Sequence, residues 1–170
     1  MNKKERTIIH VLIRYLILLV LGIFSSLFYL VFFYLTIMPS YFLLKLFYEV
    51  SLSGHVLKVA GLEIGVVSAC VAGSAYYLLL ILNLTTEMTT KQRIFSLFSS
   101  LFLLLVINIL RISLFSVLLI EDYIYFDLLH HFFWYFMSIL IVVVTWFFTA
   151  WLFKIKRIPI YSDLSALFKK

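Results

Sequence analysis

From residue 94 to 120 the chain reads IFSLFSSLFLLLVINILRISLFSVLLI, and Arg111 is its one charged side chain. An apolar run of 18 or more residues fits a helix crossing a bilayer core about 30 Å thick. Comparable runs recur on either side, and 65% of the 170 residues are hydrophobic, against about 45–50% in soluble domains. Mean hydropathy is +1.13. A water-soluble fold of this size would leave too much apolar surface exposed. The sequence therefore predicts an all-α fold: one polytopic helical bundle embedded in a membrane.

Four transmembrane spans are expected, at about 8–37 (or from 15), 65–84, 94–120 and 128–153. MNKKER at the start resembles the basic region of a signal peptide. The apolar stretch after it is too long, though, and no small-residue cleavage site follows, so a retained first helix is expected. Pro39 disfavours helix at Met38 and is expected to end that span. Segment 40–63 mixes apolar residues with Lys45, Glu49, His55 and Lys58 at near-helical spacing. It predicts an amphipathic helix lying in the interface. Residues 85–93 are polar, Glu121 and Asp122 close the third span, and a weakly amphipathic tail, 154–170, contains Pro159.

The formal net charge is +6. Basic residues cluster beside the ends of the apolar runs, which points to an anionic membrane surface and membrane lipids as partners rather than nucleic acid. Lys3, Lys4, Arg6 and Arg14, then Lys91 and Arg93, then Lys154, Lys156, Arg157, Lys169 and Lys170 mark three cytoplasmic regions under the positive-inside rule. Both termini are then cytoplasmic in a multi-pass plasma-membrane protein. The segment with Lys45 and Lys58, and the loop with Glu121, Asp122 and Asp127, face outward.

That topology gathers a constellation in the outer leaflet. Cys70 lies about 8 Å below the outer end of its span and Arg111 about 14 Å below the end of the next, at 1.5 Å per residue. His130 and His131 begin the last span. A charged side chain in hydrocarbon costs about 2.5–3.5 kcal/mol on insertion scales, so Arg111 is expected to face protein or a wet cavity. Otherwise it serves as structural glue or snorkels outward. Asn108, three residues earlier on the same face, can hydrogen-bond a substrate or fix a neighbouring group.

Cys70 taken alone reads as a small packing residue. Its surroundings, Ser68, Ala69, Ala72, Gly73, Ser74 and Ala75, leave room for a close helix or a substrate backbone. A nearby guanidinium or imidazole would favour the nucleophilic thiolate. Asp127 stands three and four residues before the two histidines and can orient either ring. His10 and His55 lack such company and read as surface residues. A single cysteine excludes an intramolecular disulfide and suits a structural zinc site poorly. No phosphate loop, zincin pattern or nucleophile elbow occurs, so no metal or cofactor is predicted.

Cys70 in SACVAGS, Asn108 and Arg111 in NILRI, and a His at the start of the following span resemble the exosortase and archaeosortase family of membrane transpeptidases. The likeness covers about residues 65–135. Val71 stands where the family has a small residue after the cysteine. The histidine segment, HHFFWY, lacks the family's glycine and leaves open which histidine matches. The resemblance implies a cysteine peptidase or transpeptidase acting at the outer face of the membrane. Its substrates would be exported proteins ending in a short motif, a transmembrane helix and a basic cluster. Cys70 would be the nucleophile, Arg111 would stabilise charge or position the peptide, and His130 or His131 would move the proton. Asn108, Gly73 and Ser74 are the expected substrate-binding residues and Asp127 the orienting one. The competing expectation is a non-catalytic assembly partner or carrier whose Arg111 binds an anionic headgroup.

Overall fold

The computed structural model describes residues 3–24, 26–157 and 159. The side chain of His10 and the rest of the tail beyond 157 lie outside the described residues. The chain is mostly helical, and among the described residues three helices are long and apolar enough to cross a membrane: Ser26–Lys45, Thr90–Ile120 and the interrupted helix Phe126–Leu152. These three mark it as a membrane protein.

The expected first span is divided. Helix α1 (Lys3–Ile23) ends at a turn and α2 (Ser26–Lys45) follows it. Pro39 lies inside α2 instead of ending it. A proline removes one helical donor, but breaking the helix in apolar surroundings would strand several more backbone groups. Ser40 Oγ, one residue on, donates to the Thr36 carbonyl at 2.9 Å, the kind of local bonding by which membrane helices tolerate proline.

Segment 40–63 is not an amphipathic helix. It holds the end of α2 and most of an antiparallel meander: β1 (Val50–Ser53), β2 (Val56–Val59) and β3 (Leu62–Gly65). Ala60 and Gly61 both have positive φ, 50° and 83°, as a two-residue hairpin turn with the twist of its strands requires. Gly54, at φ 60°, makes the other turn. Alternation decides the faces. Val50, Leu52, Leu57, Val59 and Ile64 pack inward against Phe33, Ile37 and Leu44 of α2. Lys58 and Glu63 pair across the outer face at 2.6 Å. Of the charges spaced like a helix, only Lys58 stands on the solvent face of this small sheet; Lys45 ends α2, Glu49 precedes β1 and His55 lies in the turn between β1 and β2.

The expected span 65–84 is also broken. One helical turn, α3 (Ser68–Val71), precedes Ala72, and α4 (Gly73–Leu84) follows. Its 12 residues rise about 18 Å, short of a bilayer core. The C-terminal carbonyls of α4 are met by arginines. Arg14 donates to Leu84 O at 3.0 Å, and Arg93 donates to Asn83 O at 2.7 Å and Thr86 O at 3.1 Å, charges suited to the negative end of a helix dipole.

Helix α5 (Thr90–Ile120) starts at a capping box between Thr89 and Gln92. Ser96, Ser100, Leu104, Asn108, Ile112 and Ser116 are buried along it at every fourth position. This mostly small, polar ridge lets α2, α4 and the last helix approach closely. That last helix is α6 (Phe126–Phe132), one wide π turn over Phe133–Met137, and α7 (Ser138–Leu152). Tyr76, Leu79, Leu104, Val142 and Trp146 form the core between α4, α5 and α7.

Candidate functional site

Ala72 is the origin of the site. Its φ of 57° and ψ of 39° are left-handed, a conformation that costs an L-residue about 1–2 kcal/mol. In an unbroken helix the carbonyls of Cys70 and Val71 would accept from the N–H groups of the next turn. The kink redirects that ladder, and Ala75 N–H donates to Ala72 O at 2.9 Å. Two side chains from α5 take over the freed carbonyls. Arg111 Nη2 donates to Cys70 O at 2.9 Å, and Asn108 Nδ2 donates to Val71 O at 3.1 Å. Residues three apart on one helix face thus meet two consecutive carbonyls on another.

Arg111 has a second brace. Its Nη1 donates to Ser138 Oγ at 3.2 Å, and Ser138 Oγ donates to Phe133 O at 2.9 Å across the π turn. Single π turns recur at functional sites because they re-aim the residues beside them. Both acceptors of the guanidinium are neutral, so its charge is held in place without being neutralised by them.

A cavity of about 860 Å³ opens beside the kink, lined by Cys70, Gly73, Ser74, Arg111, His130 and Ser138 among others. Its volume lies in the range of ligand-binding sites. The His130 ring is framed by Phe115, Phe126 and Trp134 at centroid distances of 5.4, 5.6 and 5.8 Å. His131 is exposed, and its Nδ1 lies 2.7 Å from the backbone carbonyl of Asp127. Among the described residues, no group of three or more His, Cys, Asp and Glu is arranged to hold a metal ion.

Several sequence-predicted residues thus converge. Cys70, Arg111, Gly73, Ser74 and His130 share the cavity; His131 does not line it. Asn108 is 2% exposed and its amide donates to the Val71 carbonyl, so here it fixes a neighbouring group. Asp127 reaches the pair through its carbonyl, at His131, and not as a carboxylate orienting the cavity-lining ring. Sequence reasoning missed Ser138. Its available signal was a hydroxyl eight residues after His130, two helical turns along the same span. No protein-family model, curated protein or solved structure matches the chain.

Proposed function

We propose that the protein is a membrane-embedded cysteine transpeptidase or protease of the exosortase and archaeosortase type, acting on C-terminal sorting signals. The observation that carries this reading is the sharing of one cavity by Cys70, Arg111 and His130, with the guanidinium bonded to the backbone of the cysteine itself.

The topology that goes with it has four crossings. Helices α1 and α2 ascend in series as the first: Arg14 meets the lower end of α4 at Leu84, while Tyr48, just past α2, bonds Glu121 beyond α5 at 3.0 Å. The broken segment α3–α4 descends as the second, α5 ascends as the third, and α6–α7 descends until Gln92 meets the Phe153 carbonyl at 3.1 Å. A broken helix is acceptable at membrane depth where it lines a cavity. The basic residues put the Arg14, Arg93 and Lys154 end in the cytoplasm and the sheet and cavity at the outer face.

In the reaction, the Cys70 thiolate attacks the carbonyl carbon of the scissile amide, and the electron pair of that carbonyl moves onto its oxygen. Arg111 stabilises this oxyanion. The oxyanion collapses, the carbon–nitrogen bond breaks, and protonated His130 gives its proton to the leaving amine. A thioester remains on Cys70. His130, now neutral, takes a proton from the acceptor as it attacks, and Cys70 leaves as thiolate. Water as acceptor gives hydrolysis; an amine or a lipid headgroup gives transfer.

The test is co-expression with an exported protein ending in a short motif, an apolar helix and a basic cluster. Processing is expected to stop with Cys70→Ala and with Arg111→Ala. Processing that survives both substitutions would favour the alternative, a carrier or assembly partner whose Arg111 holds an anionic headgroup.

A further inference from the structure

The hydrogen bonds of the sheet reveal which main-chain groups of β3 are already used. Val66 N–H donates to His55 O at 2.8 Å, and these residues are directly opposed in the register that pairs Val56 with Gly65. Bonded and non-bonded pairs alternate along an antiparallel ladder. Ile64 and Leu62 therefore turn their N–H and C=O groups toward β2, while Glu63 and Gly65 turn theirs away. The strand order β1-β2-β3 makes β3 an edge, so these four groups point off the sheet. Gly65 and Glu63 are exposed.

The edge runs into the cavity. Ile64, Gly65 and Val66 line it together with Cys70, four residues after Val66. A Cβ built on Gly65 would meet nothing within 4 Å. The one strand residue without a side chain thus stands where another backbone has room to approach closely.

We propose that β3 binds the substrate as an added fourth strand. An extended peptide pairs its main chain with Glu63 and Gly65 and is led by that pairing into the cavity beside Cys70. The inference rests on the peptidase reading. A peptide is the fitting occupant because outward N–H and C=O groups repeat along the edge at two-residue spacing. An extended chain answers that spacing with its own donors and acceptors; an acyl tail has none. Recognition through the main chain fixes the register of cleavage and leaves sequence preference to alternate side chains facing the cavity.

Gly65→Pro isolates this role. The Gly65 N–H points away from β2, so proline there removes an edge donor without removing a ladder bond, and an extended Ile64 suits the residue before proline. Gly65→Ala keeps the donor and is the control. The probe is a reporter protein carrying a randomised short motif, a Leu/Ala helix of about 20 residues and an arginine cluster, co-expressed with the full chain. Tails cleaved by the wild type are sequenced and resynthesised. Gly65→Pro is expected to slow cleavage about tenfold, the loss of one main-chain hydrogen bond, and Gly65→Ala, which keeps that donor but places a Cβ where the added strand approaches, to slow it less. N-methylation of alternate motif residues is expected to reproduce the loss with the unsubstituted enzyme.

Cleavage by folded Gly65→Pro at the wild-type rate, with Cys70→Ala inactive, would overturn strand addition and leave the peptidase reading intact. If Gly65→Pro fails to fold, the N-methylated tails decide, and indifference to every N-methyl group overturns the proposal. Failure of the wild type to cleave any tail, or cleavage undiminished in Cys70→Ala, removes the peptidase reading and strand addition with it.

Discussion

Arg111 Nη2 donates to the carbonyl oxygen of Cys70 at 2.9 Å, so the strongest positive charge in the cavity is fastened to the backbone of its thiol residue. Lysine in its place would keep the charge but not the planar fork that also reaches Ser138 Oγ. Arg111→Lys is therefore expected to lower kcat by about 10²–10³, the cost of removing one oxyanion donor. Initial rates of tail cleavage in detergent or nanodiscs check this. A loss confined to KM would assign Arg111 to substrate binding instead.

Asn108 carries a different burden. The residue is 2% exposed and its amide supplies a donor to the Val71 carbonyl. Asn108→Ala leaves that acceptor unsatisfied and is expected to destabilise the fold by about 1–3 kcal/mol. The thermal unfolding midpoint of purified protein measures it. An unchanged midpoint would mean that water from the cavity reaches the carbonyl.

The two histidines separate by their surroundings. His130 lines the cavity among Phe115, Phe126 and Trp134, whereas His131 is exposed. His130→Ala is expected to cost about 10²–10⁴ in rate, as for loss of a general acid–base group. His131→Ala should remain within about threefold of wild type, as for most surface substitutions. Equal losses in both variants would show that the rings share the proton.

How much of this was legible beforehand depended on range. Apolar runs announced the long helices, and positive-inside counting on four runs was enough to suggest that Cys70, Arg111 and the histidine pair belong together. Local rules failed where the surroundings outweighed them. Pro39 is carried through α2 because the apolar environment penalises a broken helix more than a missing donor. Lys45, Glu49, His55 and Lys58 imitated helical spacing, whereas the structure turns the chain at Gly54 and Gly61 into hairpins. The kink at Ala72 left no mark of its own, since alanine is the best of helix formers. What betrays it is distant in sequence: two side-chain donors, Asn108 and Arg111, matched to two freed carbonyls.

That strained alanine supplies a further measurement. Glycine adopts φ near 57° without the Cβ clash that alanine suffers, and β-branched residues resist it strongly. Ala72→Gly is expected to raise stability by about 0.5–1 kcal/mol after the greater chain entropy of glycine is counted. Ala72→Val should destabilise by at least about 1 kcal/mol. Denaturation midpoints of the two variants check the sign. If both shifted in the same direction, backbone strain would not govern the site.

The wide turn over Phe133–Met137 amounts to one residue more than an α-helix needs between Ser138 and the histidines. It works as a phase setting. Deleting a single residue from it would rejoin an unbroken α-helix and rotate everything before it by about 100° relative to α7. The chain would cross the bilayer as before, with hydropathy nearly unchanged, yet the His130 ring would swing off the cavity. Whether the imidazole lines the same cavity as Cys70 is thus encoded in the length of an apolar stretch, where a comparison of side-chain chemistry alone would not find it.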